Sequence, residues 1–217
     1  MKAALIPDRI TPLTTREVLR AFRDAFQVVC GFTPSNATLA LLVAHSALET
    51  GRWKSIHCYN FGNVKAGPDY EGYYCQFRCN EVLNGKTVWF DPPHAQCSFR
   101  AFGTITEGAA DHLEFLARRP RYAKAWQVML AGDPARFVDE LKAAHYFTAD
   151  AEPYKRAVTS LWREYMNLLA DEEPEEREPD TDPDFDAIRR TVAAQQFDTH
   201  ELIYGAEEDD DGKNKDD

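Results

Sequence analysis

The sequence predicts a mainly α domain of the α+β class, with one small β-hairpin flap inserted and an acidic, disordered tail appended. Three observations carry that expectation. Apolar residues recur at helical spacing up to Thr50 and again beyond Thr104. Between these stretches Asn84-Gly85, a strong two-residue hairpin signal, is flanked by aromatic and β-branched residues. Beyond residue 170 the charge turns almost wholly negative.

The elements follow in order. Thr14 with Glu17 three residues later makes a capping-box pattern, and the amphipathic run behind it, through Val29, reads as the first helix. Pro34 and Ser35-Asn36 punctuate before a second helix over about 36–50, which Gly51 stops at a C′-like position. Residues 52–72, carrying Gly62, Gly67, Pro68 and Gly72, read as an irregular loop. Tyr73–Leu83 and Lys86–Phe90 form the two arms of the expected flap. Four more helices are expected at Ile105–Ala117, Tyr122–Leu130, Pro134–Ala144 and Pro153–Leu169. Residues 1–170 thus form one domain. Residues 171–186 hold ten acids and three prolines, too polar and self-repelling to pack, and 171–217 read as linker and tail with a possible short docking helix at 184–204.

The net charge of −11 hides an asymmetry: residues 1–170 hold 20 Lys+Arg against 17 Asp+Glu, residues 171–217 hold 5 against 19. A mildly basic body suits an anionic polymer, while its small excess and the lack of a basic-aromatic motif argue against nucleic-acid binding. No stretch approaches the roughly 18–20 apolar residues that span a bilayer, so no membrane insertion is expected. The opening MKAALIPDRITPL is interrupted at Pro7, Asp8 and Arg9, and reads as no signal peptide. Of five cysteines, four cluster between Cys58 and Cys97. Cys75, Cys79, His94 and Cys97 are readable as a zinc site, the cluster as holding one disulfide, or all five as inert thiols. The expectation is no cofactor and no metal.

Glu49 is the candidate catalytic acid. It stands at the C-terminal end of an apolar helix, in HSALETGRWKSIHCYNFGNVKAG, where burial against Trp53 and Phe61 and the negative helix terminus both raise a carboxyl pKa. A carboxylic acid kept protonated near neutral pH is what glycosidic cleavage requires.

The surrounding motifs resemble glycoside hydrolase family 73, the N-acetylglucosaminidases of peptidoglycan, over roughly residues 37–166. Ala47-Leu48-Glu49-Thr50-Gly51 with Ser55 is similar to the family's catalytic helix end, and Asn60-Phe61-Gly62-Asn63-Val64-Lys65-Ala66 to its Asn-x-Phe-Gly-Ile-Lys-Ala. Phe99-Arg100-Ala101-Phe102, Arg121-Tyr122-Ala123 and Ala144-His145-Tyr146 resemble later motifs in the same order. The resemblance implies a lysozyme-like helical domain that cuts the β-1,4 bond between N-acetylglucosamine and N-acetylmuramic acid. It implies catalytic roles for Glu49, for Glu81 on the flap (in Asn80-Glu81-Val82-Leu83-Asn84-Gly85) and for Tyr146, with Glu71 in reserve for Glu81. It implies substrate contacts from Trp53, Asn60, Phe61, Gly62, Lys65 and Tyr122. Paired carboxylates suit the chemistry: one protonates the leaving oxygen, the other activates water or stabilises the oxocarbenium-like centre. Three departures from the family pattern stand out: Tyr59-Asn60-Phe61-Gly62-Asn63-Val64 for the commoner Asn-Leu-Phe-Gly-Ile, Phe102 for Tyr and His145 for Gly.

The implied partner is the glycan strand of peptidoglycan, and the implied place of action the periplasm or cell exterior. With no signal peptide expected, delivery by a phage or a secretion machine follows, the tail being open to a loading partner. A lytic transglycosylase or muramidase of the same fold, and a non-catalytic wall-binding virion module, are the competing readings.

Overall fold

In a computed structural model, residues 3–83 and 86–171 are described; the Asn84-Gly85 turn and the acidic segment with its expected helix at 184–204 lie outside the described residues. Thr14 and Glu17 cap the first helix reciprocally, Thr14 Oγ1 accepting from the Glu17 amide and Glu17 Oε2 accepting from the Thr14 amide at 2.7 Å. Helix α1 runs Thr15–Cys30 and ends on Gly31 in the left-handed region. A Ser35 cap then opens α2, Asn36–Glu49. Ten consecutive residues of α2, Thr38–Ala47, are buried, as expected of a helix apolar on every face.

Around α2 stand α3 (Ile105–Ala117), α4 (Ala123–Ala131), α5 (Pro134–Ala143) and α6 (Ala151–Asp171). A second capping box, Thr104 with Glu107, opens α3, and Asp133 caps α5. The expected Tyr122–Leu130 helix begins one residue later, because Pro120–Tyr122 form a 3₁₀ turn. Helix α6 begins two residues before Pro153, since the first turn of a helix tolerates proline. Helix α3 lies against α1, α6 against α2, and their apolar faces form one continuous core from Val18 to Leu169. Gly108 lets α3 approach the Tyr59 carbonyl: a β-carbon there would sit 2.0 Å from that oxygen.

The flap differs from expectation. The anticipated Tyr73–Leu83 arm divides into β2 (Tyr73–Gln76) and β3 (Cys79–Leu83). Strand β2 joins the body, pairing parallel with β1 (Ala4–Leu5) and antiparallel with β5 (Ser98–Ala101), while β3 pairs with β4 (Lys86–Phe90). Burial explains the division. Cys75 packs with Cys58 and Ala101, and the Phe77 ring is sandwiched between His57 at 3.8 Å and Phe99 at 4.3 Å, so β2 is drawn to the body sheet. Beyond Arg78 the chain has β4 for its strand partner. Among the described residues no helix is long and apolar enough to cross a membrane.

Candidate active site

Glu49 is the last residue of α2, and its side chain is 23% exposed. Burial pushes its carboxyl above the usual range, and the Tyr154 hydroxyl, donating to Oε1 at 2.7 Å, pulls partly back. The helix end is itself secured. Thr50 Oγ1 donates to the Ser46 carbonyl at 2.7 Å, and Asn63 Nδ2 donates to the Glu49 carbonyl at 2.6 Å. Asn63 has φ 47°, a left-handed conformation that asparagine visits more readily than most residues with a side chain. Asn63 thus secures the end of α2. His145 has φ 55°, which accounts for the family's glycine there.

Tyr146 lies half-buried beside this carboxyl. Its ring centre is 5.3 Å from that of His45 and 5.7 Å from that of Tyr122. Burial, followed by the Glu49 charge, pushes its phenol well above the ordinary value, so it stays a hydroxyl donor. Glu81, on β3, is paired with Lys65 Nζ, which also reaches Gln96 Oε1 at 2.5 Å. The Lys65 and Glu81 side chains are 34% and 39% exposed. Glu71 is exposed and lines a depression shared with Lys65, Tyr70, Arg100 and Arg119.

Four expected substrate contacts are corrected by burial. Trp53 is 1% exposed, its Nε1 donating to Ser46 Oγ at 3.0 Å, so it props the catalytic helix from beneath and offers no face to a sugar. Phe61, 1% exposed, packs edge-on to Phe22. Asn60 spends its amide on the backbone: Nδ2 donates to the Val64 and Arg100 carbonyls, and Oδ1 accepts from the Val64 amide, each at 2.9 Å. Tyr122, 1% exposed, accepts from Arg121 and supports Tyr146. Gly62 makes room for His112, whose Nδ1 would lie 2.8 Å from a β-carbon at that position. The quartet read as a zinc site does not converge: Cys75 sits by Cys58 and Asp8, Cys79 by Cys97, and His94 stacks on Phe90 while capping Gln96.

Two features were not read from the sequence. Tyr154 reaches Glu49 across 105 residues, and no local spacing announces it. Behind Glu49, His45 Nδ1 lies 3.2 Å from His112 Nε2, both rings fully buried, with His45 Nε2 3.9 Å from Glu49 Oε1. Burial holds both imidazoles neutral, His112 down to about 4 and His45 well below its usual value, the latter helped by its neighbour. The i,i+4 spacing of His45 and Glu49 was the available signal.

The site thus brings together a carboxyl of raised pKa at the end of a buried helix and two tyrosines in an α+β domain, a setting that suits a general acid. The glucosaminidase family, described as mannosyl-glycoprotein endo-beta-N-acetylglucosaminidase, matches residues 35–167, and the chain belongs to it. It is a glycoside hydrolase. A peptidoglycan hydrolase mutant from Sphingomonas sp. A1 is similar at 25% identity with a TM-score of 0.54, over 71% of this chain and 97% of that one. The catalytic domain of the autolysin Auto from Listeria monocytogenes shares the fold at 16% identity and a TM-score of 0.51, over 74% and 88%. No curated protein sequence matches significantly.

Proposed function

We propose that the chain hydrolyses the β-1,4 bond of peptidoglycan between N-acetylglucosamine and N-acetylmuramic acid, leaving N-acetylglucosamine at the new reducing end. One observation carries the reading: at the end of a buried helix the Glu49 carboxyl is pushed upward by burial, accepts from the Tyr154 hydroxyl and keeps part of its surface open to a ligand. Glu49 protonates the glycosidic oxygen as the bond breaks. Tyr146 hydrogen-bonds near the cleaved sugar, and Tyr154 steadies the carboxylate left behind. Glu81, brought from the flap once Lys65 releases it, activates the water or stabilises the cationic sugar; the ion pair, more than a third exposed, is weak enough to part. Gly62 and Lys65 remain the substrate-side residues of this reading. Delivery by a phage or a secretion machine, with residues 171–217 as a loading element, belongs to the same proposal, and deleting those residues while following activity against salt tests any masking by the tail. Mass spectrometry of the muropeptides released from purified peptidoglycan tests the reaction. Products ending in reducing N-acetylglucosamine are expected; anhydro-muramyl ends would assign transglycosylation, and intact glycan would leave a binding module.

A further inference from the structure

Four of the five cysteines stand in two close pairs. The sulfurs of Cys58 and Cys75, together with a carboxylate oxygen of Asp8, lie within 4.8 Å of one another, and both side chains are completely buried. The sulfurs of Cys79 and Cys97 are 4.0 Å apart. A disulfide brings sulfurs to about 2.05 Å, so each pair closes by a small side-chain and backbone adjustment. Cys30 sits on α1 in the helical core, in a separate cluster from Cys58 and Cys75. All five are thiols in the structure.

We propose that the wall-acting form of this enzyme carries two disulfides, Cys58–Cys75 and Cys79–Cys97, with Cys30 left as its free thiol. The inference rests on the proposed place of action, since thiols of this kind are kept reduced in the cytosol and are oxidised beyond it. Each bridge forms by loss of two protons and two electrons from a thiol pair. The electrons pass to a small-molecule or protein disulfide: one thiolate attacks it, giving a mixed disulfide and freeing one of its sulfurs as a thiol, and the second thiolate then displaces the other sulfur, so the oxidant ends as two thiols. The two pairs differ in access. Cys79 is partly exposed and can react in the folded protein, whereas burial pushes the Cys75 thiol upward, so Cys58–Cys75 closes before the sheet is buried.

The positions give the bridges a task. Cys58 lies two residues before Asn60, whose amide organises the loop behind the catalytic helix, and Cys75 is in β2 of the body sheet. Cys79 begins β3, two residues before Glu81, and Cys97 closes the 3₁₀ turn leading into β5. The first bridge ties the catalytic loop to the sheet. The second roots the ribbon that carries Glu81.

The test refolds the full chain from denaturant in oxidised glutathione, or in a reductant, then denatures it again, alkylates it with a maleimide and weighs it. One alkylated cysteine is expected after oxidation and five after reduction. Peptide mapping is expected to find Cys58 joined to Cys75 and Cys79 to Cys97. After oxidation, Cys79→Ser is expected to show two alkylated thiols, with the Cys58–Cys75 bridge intact. Five alkylated thiols after oxidation, glutathione adducts in place of bridges, or any other pairing overturns the proposal. So does stoichiometric zinc that shields Cys58 and Cys75 from maleimide until a chelator is added. Wall cleavage plays no part in the readout, so failed pairing and failed hydrolysis are distinguishable.

Discussion

The two candidate carboxylates sit in opposite mechanical settings. Glu49 closes a helix buried along ten consecutive residues and is held by Tyr154, while its carbonyl is capped by Asn63. Glu81 projects from a two-stranded ribbon, in an ion pair with Lys65 that water screens. An isolated ribbon of two strands is marginal in water, whereas the helix shares the main core. The contrast suits the division of labour proposed for them. A proton donor needs a dry and fixed setting, and a group that must meet water needs reach.

The largest expected effect breaks the body and spares the flap. Buried His45 and His112 are neutral in the folded chain and take up protons on unfolding. Because their folded pKa values lie below the unfolded one, stability is intact above about pH 6.5 and falls as pH drops toward about 4. For His112 alone the loss is about 3 kcal/mol across that window. Urea midpoints at pH 7 and pH 5 measure it, and an unchanged midpoint would refute neutral burial.

Next comes a pair of glycines. Gly108→Ala drives a methyl into the Tyr59 carbonyl and is expected to cost about 2–3 kcal/mol, read by thermal melting. Gly67→Ala, in the loop beneath the flap, meets no atom within 4 Å and is expected to leave the melting temperature within about 2 °C.

Smaller effects sharpen the contrast at the site. Glu81→Gln is expected to lower kcat about tenfold with the melting temperature unchanged, less than the 10²–10⁴ typical of a lost general acid. A loss as large as that of Glu49→Gln would place the two carboxylates on an equal footing. Tyr154→Phe removes the hydrogen bond that favours the Glu49 anion, so the carboxyl pKa rises. Activity requires the protonated acid and fades as pH rises through that pKa; the alkaline limb of kcat is therefore expected to move upward in Tyr154→Phe. A downward shift would contradict the assignment.

Much of this was legible in the sequence because it is local. The Thr14–Glu17 capping box, the Gly51 stop and the hairpin register around β3 and β4 each depend on residues within a few positions of one another. What escaped is long-range. The turn of β2 into the body sheet depends on Phe77 finding His57 and Phe99, and the parallel β1 pairs across nearly seventy residues. The placing of Glu49 at the end of a buried helix was legible from the apolar run and the Gly51 stop. Trp53, Phe61 and Tyr122 were read as sugar-facing because aromatic residues serve cores and grooves equally well, and burial alone separates the two uses. Tyr154, His45 and His112 entered only with the packing of α6 and α3 around α2.

Glu49 is the residue proposed to donate the proton that breaks the glycan bond. Turnover of purified peptidoglycan by Glu49→Gln, measured beside the unsubstituted chain at matched melting temperature, tests it directly. A loss of about 10³-fold or more is expected. Equal turnover by the two proteins would contradict it.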